Sequence, residues 1–197
     1  MTNVMSIVAI ILAAGQGHRL GGRKSRLIIE GEPLVLRHIK RFAEAGVRAV
    51  VVAHPDDSEL VVDPNVTVVI SREAYQAGSL SIGVRALPND VAHVLITPVD
   101  ALPASVATLD SLNQALASPN VIAATPVFQG RRGHPVAVRR SALGAYDGSS
   151  TPPPLREMLA ALGARRAEIV VEDPNVVTDL DDAAQVIAAT GAPPRFT

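Results

Sequence analysis

Short β-branched apolar runs alternate along this chain with longer segments whose apolar residues recur at helical spacing. Residues 7–12 (Ile-Val-Ala-Ile-Ile-Leu), 49–53 (Ala-Val-Val-Val-Ala), 66–70, 93–97, 121–124, 135–138 and 169–172 are too short for ordinary helices and read as strands. Between them, residues 33–45, 80–87, 105–117, 155–162 and 181–189 read as helices. Pro33 stands near the start of the first and Gly46 follows its end, the expected polarity of helix punctuation. Such alternation implies right-handed crossovers and a mostly parallel sheet covered on both faces, a three-layer α/β architecture. No repeat or long linker interrupts it, so residues 1–197 are expected to form one domain. Residues 149–154 (Ser-Ser-Thr-Pro-Pro-Pro) are the expected mobile loop.

Sheets of this kind bind ligands outside the carboxyl ends of their strands, where strand order reverses. Three polar segments follow strands here: a glycine-rich loop after the first, His54-Pro55 after the second, and Asp100 after residues 93–97. The loop places Gly15, Gly17, Gly21 and Gly22 beside Arg19, Arg23, Lys24 and Arg26. Backbone without side chains lets N–H groups approach a polyanion, and neighbouring cations neutralise phosphate charge. Two familiar phosphate motifs do not fit. A P-loop requires glycine immediately before Lys24, and a dinucleotide fingerprint requires glycine where Leu20 stands.

Composition narrows the partners. A hydrophobic share of 48% supports a sizeable core, and the formal charge of −1 argues against bulk nucleic-acid binding. Aromatic residues make up only 3%, with no Trp, so a base-stacking platform is not expected. The chain has no cysteine, which removes disulfides, thiolate catalysis and thiolate-ligated zinc. No apolar stretch is long enough to span a bilayer, and residues 1–5 lack the basic start of a signal peptide. The expectation is a soluble, cytoplasmic protein without nucleic-acid or membrane partners.

The loop resembles the signature of the MobA-like NTP transferases, the molybdenum-cofactor nucleotidyltransferases and their relatives. That pattern is met by Leu12-Ala13-Ala14-Gly15, Arg19-Leu20-Gly21, Lys24, Leu27-Ile28 and Gly31-Glu32-Pro33-Leu34. Leucine replaces the usual methionine, and the spacing after Lys24 is one residue longer than usual, so Arg26 could share the lysine's role. Gly78-Ser79-Leu80-Ser81-Ile82-Gly83 is similar to the family segment that borders base and ribose. Pro98-Val99-Asp100-Ala101-Leu102-Pro103 matches the strand-end Asp that holds magnesium. Gly133-His134-Pro135 and the closing Asp173 to Asp181 segment resemble the molybdopterin cytidylyltransferase-like branch. The sequence departs from the family at Asp182-Ala183-Ala184-Gln185 and at Thr151 to Arg156, on the acceptor side.

The resemblance implies a Rossmann-like nucleotidyltransferase fold and a Mg2+-dependent transfer of a nucleoside monophosphate to a phosphorylated acceptor, with release of pyrophosphate. Leu12, Ala13, Ala14, Gly15, Arg19, Lys24, Ser79 and Leu80 would bind the nucleotide. Arg19, Lys24 and Asp100 would be catalytic. Asp100 and Asp179 would hold the metal, with Asp181 as the rival for the second position, and Gly133 and His134 would contact the acceptor. Asp182 reads instead as an acidic helix start. Leu-Ala-Ala-Gly resembles members that use CTP, with GTP the other candidate, and the acceptor would be molybdopterin or a similar small molecule. The alternatives are a sugar- or alcohol-phosphate transferase on the same fold, and a non-catalytic, chaperone-like paralogue.

Overall fold

The computed structural model describes residues 6–197, so the expectation about a signal peptide, which concerns residues 1–5, lies outside the described residues. In chain order the elements are β1 (Ser6–Ala13), β2 (Ile28–Ile29), β3 (Glu32–Pro33), α1 (Leu34–Glu44), β4 (Arg48–Ala53), β5 (Val66–Ile70) and α2 (Gln76–Arg85). There follow β6 (Val91–Pro98), α3 (Val106–Ala115), β7 (Ala123–Phe128), β8 (Arg131–Arg132), β9 (Val136–Arg139), α4 (Leu155–Ala161), β10 (Arg166–Val170) and α5 (Ala183–Thr190).

The main sheet has the order β10-β7-β9-β6-β1-β4-β5, with β8 paired to β7. Along this path β9 is antiparallel to both neighbours, and every other pairing is parallel. The chain builds outward from β1 through β4 to β5, then returns to lay β6 on the other edge of β1. Strand order reverses there, so the carboxyl ends of β1 and β6 flank the natural ligand crevice.

Alternation along β1 divides the core in two. Ala9, Ile11 and Ala13 join Leu34, Ile39 and Phe42 of α1, Leu109 and Leu112 of α3, and Val186 of α5. Val8, Ile10 and Leu12 join Leu80 and Val84 of α2, Leu143 and Tyr146 of the 3-10 segment Arg140–Tyr146, and Leu159 of α4. The result is the three-layer arrangement. A sheet buried on both faces needs apolar residues at every position of a central strand, which is why β1 and β4 read as unbroken runs.

Three element boundaries lie three or more residues from expectation. Helix α2 begins at Gln76 rather than residue 80, because its first turn, Gln76-Ala77-Gly78-Ser79, is built of polar and small residues and carries no apolar period. Strand β7 continues to Phe128 through Pro126, whose carbonyl accepts from Gly133 N at 2.9 Å. Strand β10 spans Arg166–Val170 rather than 169–172; as an edge strand it alternates polar residues, so its sequence lacks an apolar run. Asp182 caps α5 through a capping box with Gln185, in keeping with its reading as a helix start. No helix among the described residues is long and apolar enough to cross a membrane.

Candidate active site

Beyond Ala13 the chain turns through two 3-10 segments, His18–Leu20 and Lys24–Arg26. Gly17 adopts φ 64°, and a Cβ there would lie 2.0 Å from Gly22 O, so the loop closes only around glycine. The carboxyl-terminal tail clamps it from behind. Ile28 N donates to Arg195 O at 2.7 Å, Thr197 N donates to Arg26 O at 3.2 Å, and the Phe196 ring packs on Gly22. The loop opens onto a cleft of about 310 Å3 lined by Ala14, Gly15, His18, Arg19 and Lys24, by Tyr75, Gln76 and Ser79, and by Asp100 and Asp181.

The loop cations divide between two carboxylate clusters. Lys24 Nζ lies 2.6 Å from Asp100 Oδ2 and 2.5 Å from Asp181 Oδ1, inside the cleft. Arg19 approaches Asp181 at 3.5 Å with a mostly exposed side chain. Arg26 points elsewhere: its Nε donates to Asp57 Oδ1 at 2.5 Å and its terminal nitrogen to Asp56 O at 2.6 Å. Ser25 Oγ adds a 2.6 Å bond to Asp57, and Arg23 pairs with Asp56. The expectation that Arg26 could share the role of Lys24 is therefore corrected. Arg26 anchors the loop to the turn after β4, where Asp57 is buried at 2% exposure.

Asp100 follows β6 in a turn held on several sides. Val99 N donates to Leu12 O at 3.1 Å, tying the turn to β1. Leu180 N donates to Asp100 O at 2.8 Å and Leu102 N to Thr178 O at 2.9 Å, while Ala101 and Asp179 form an antiparallel bridge. The closing segment is itself pinned by buried Asp173, which accepts from Ser105 N at 2.6 Å and Thr108 Oγ1 at 2.9 Å. Asp100, Asp179 and Asp181 are thus brought to one place from positions far apart in sequence.

Their electrostatics differ. Burial alone would pull the Lys24 ammonium down, but hydrogen bonds and charge from Asp100 and Asp181 carry it above its ordinary value. The Lys24 bond holds Asp181 below the usual carboxylate range, against partial burial. Burial pushes Asp179 upward and the charges of Asp100 and Asp181 add to this, opposed by His134 and Lys24. Burial lowers the His134 pKa, countered by Asp179 and Asp100. His134 Nδ1 is buried without a hydrogen-bond partner, and His134 N donates to Val176 O at 2.7 Å. A Cβ on Gly133 would stand 1.8 Å from the same carbonyl, so only glycine permits this approach of β8 to the closing segment.

Of the residues singled out from sequence, Leu12, Ala14, Gly15, Arg19, Lys24, Ser79 and Asp100 line the cleft. Ala13 and Leu80, each 1% exposed, turn their side chains into the two cores instead. Asp179, Gly133 and His134 are not among the cleft-lining residues, although Asp179 and His134 lie near enough to Asp100 to feel its charge. Sequence reasoning missed Glu73, Tyr75 and Gln76, which also line the cleft. One signal was available: Tyr75 is one of two tyrosines in a chain poor in aromatics, and it stands 78% exposed.

The MobA-like NTP transferase domain model matches residues 9–167, from β1 and the glycine loop through Asp100 and His134 into β10. The chain belongs to this family. The matched region is an NTP transferase domain and takes in most of the chain. The bifunctional enzyme IspD/IspF of Bartonella bacilliformis is 35% identical over 97 residues, 43% of this chain and 24% of that protein. The matched segment thus spans about a quarter of that curated relative's length. Rv0371c of Mycobacterium tuberculosis H37Rv superposes with a TM-score of 0.79 at 16% identity, over 96% of this chain and 100% of that one. Its complex with manganese gives 0.78 at 16% identity, over 95% and 99%. The 4-diphosphocytidyl-2C-methyl-D-erythritol synthase of Anaerococcus prevotii gives 0.72 at 15% identity, over 95% and 97%. At these identities the solved structures show a common fold.

Proposed function

We propose that this NTP transferase moves a cytidylyl unit from CTP to a phosphorylated small-molecule acceptor, releasing pyrophosphate, with a divalent metal ion held by Asp100 and Asp179. The observation that carries the reading is Lys24 Nζ seated between Asp100 and Asp181 at the mouth of the glycine loop, at the switch point of the sheet. Asp100 already shares one cation with Asp181, the rival for the second position, and the bridge between Ala101 and Asp179 registers Asp179 beside it, so the donor set suits a hard metal ion. Among the described residues no group of three or more His, Asp or Glu side chains forms a metal cage. Mg2+ matches that sparse set, because it binds through one or two carboxylates and completes its shell from phosphate oxygens and water. The manganese complex of Rv0371c supports a divalent ion on this fold.

The ion, when bound, would neutralise charge on the phosphates. The chain's residues do the rest. Backbone N–H groups of residues 14–21 cradle the triphosphate, and Arg19 and Lys24 turn from Asp181 to its oxygens. An acceptor phosphate oxygen attacks the α-phosphorus in line with departing pyrophosphate; being ionised at neutral pH, it requires no general base. Gly133 and His134 would contact the acceptor, a reading supported by the buried His134 Nδ1 that has no hydrogen-bond partner within the protein.

CTP is favoured by Leu12-Ala13-Ala14-Gly15 and by the cytidylyl chemistry in the names of structural neighbours. Two acceptor classes have support: molybdopterin from Gly133-His134-Pro135, and a sugar- or alcohol-phosphate from the 2-C-methyl-D-erythritol 4-phosphate cytidylyltransferase of Thermus thermophilus among the structural neighbours. We place the reaction in the cytoplasm, a reading with which a chain free of cysteine is compatible. The test is pyrophosphate release with each of the four triphosphates and both acceptor classes, with and without Mg2+ or Mn2+. Turnover is expected to need metal and acceptor and to be fastest with CTP; no release with any combination overturns the reading.

A further inference from the structure

His38 lies in the middle of α1, 2% exposed, on a face otherwise formed by Leu34, Val35, Ile39 and Phe42. Its Nε2 stands 2.8 Å from Ala101 O and 3.3 Å from Val99 O. Carbonyl oxygens only accept, so Nε2 carries the proton and donates, shared unequally between the two. Burial pushes the imidazole pKa down to about 4, which leaves it neutral at physiological pH.

Those two carbonyls belong to the residues on either side of Asp100. The remaining backbone bonds of the turn run to other elements: Val99 N to Leu12 O in β1, and Asp100 O to Leu180 N in the closing segment. Without His38 both flanking carbonyls would be left without this donor. An unpaired buried carbonyl is unfavourable, so the peptide planes would rotate toward other donors and carry the Asp100 side chain with them.

We propose that His38 is a positioning residue: through the carbonyls of Val99 and Ala101 it fixes the turn that aims the Asp100 carboxylate into the cleft, and so sets metal affinity. The inference rests on the reading of Asp100 as a metal ligand. It also couples α1, the helix that follows the nucleotide loop, to the carboxylate turn. Outer partners of a metal ligand typically govern about 10- to 100-fold in affinity.

The experiment measures Mn2+ binding by electron paramagnetic resonance, on the full chain with a non-hydrolysable CTP analogue. Wild type, Asp100→Ala, His38→Leu and His38→Gln are compared, with melting temperature and nucleotide affinity recorded for each. His38→Leu should weaken Mn2+ binding by about tenfold or more while the analogue's metal-free Kd stays within about twofold. His38→Gln, whose amide can still donate, should recover most of that loss. Equal Mn2+ affinity in His38→Leu and wild type, with a lowered melting temperature, overturns the inference and leaves His38 a core residue. If Asp100→Ala binds Mn2+ like wild type, the metal assignment fails instead, so the two failures are distinguishable. Should His38→Leu not fold, nitrogen-15 NMR of the wild type decides: a ring that carries a proton at Nε2 is required. A neutral ring protonated at Nδ1 alone, which leaves Nε2 unable to donate, overturns the proposal.

Discussion

Lys24 and Arg26 belong to one 3-10 turn, yet they serve two carboxylate clusters of opposite character. Lys24 meets Asp100 and Asp181 at the edge of the cleft, where Asp100 keeps 22% and Asp181 34% side-chain exposure. Arg26 meets Asp57, which keeps 2%. The buried cluster is fully committed: Asp57 accepts from Ser25 and Arg26 with Arg23 nearby, and nothing in it remains for a ligand. The half-open cluster is self-neutralised but exchangeable, since Lys24 can leave carboxylate for phosphate without stranding a buried charge. Similar ion pairs therefore anchor the loop in one place and serve chemistry in the other. Solvent access, not charge, separates them.

That contrast can be broken most severely at Asp100. Asp100→Ala should lower metal-dependent turnover by roughly a thousandfold, as expected when several kcal/mol of charge stabilisation is lost, with an unchanged circular dichroism spectrum and melting point. Lys24→Ala comes next. A loss of roughly a hundredfold or more in kcat is expected from removal of one charge-stabilising donor, measured as pyrophosphate release, again with little effect on stability. The buried cluster should give the reverse. Asp57→Ala strands Arg26 and Ser25 and should cost about 3 kcal/mol in chemical denaturation. Its kcat should fall less than that of Lys24→Ala when assayed well below its melting point. If Asp57→Ala were fully stable and inactive, the distinction between anchor and chemistry would be wrong.

The smallest effects concern pH. Asp181 has a lowered folded pKa, so its contribution to stability is present above the ordinary carboxylate value and disappears as pH falls through the lowered one. The melting-point difference between wild type and Asp181→Asn should therefore shrink on acidification below about pH 4. Asp179 has the opposite sign. Its raised pKa means that ionisation is penalised in the folded state, and stability is lost as pH rises from the unfolded value through the folded one. Asp179→Asn should accordingly match or exceed wild-type stability at neutral pH while weakening metal-dependent turnover. A destabilised Asp179→Asn would show that its carboxylate is a structural acceptor.

Much of the fold and half of the site were legible from residues alone. The two-sided burial of β1 and β4 forces unbroken β-branched runs, and the glycine loop must abut such a strand to present its backbone. Edge elements and turns of small or polar residues were less legible, because neither β10 nor the first turn of α2 carries an apolar period. Tyr75 and Gln76 were missed for that reason, although they line the cleft.

The sequence by itself determined the parallel α/β plan, the glycine loop with Lys24 at its far end, and Asp100 as a residue set just beyond a strand. Only the tertiary structure decided which cations face the cleft. In a 3-10 turn successive side chains diverge by roughly 120°, so Lys24 and Arg26 point apart, and the direction of each depends on how the turn docks. The same holds for the closing acids: the bridge between Ala101 and Asp179 sets their register, sending Asp181 to Lys24 and leaving Asp179 beside His134. His38 is the clearest case. Nothing in its spacing separates it from its apolar neighbours on α1, and its role exists only where the helix packs beneath the Asp100 turn.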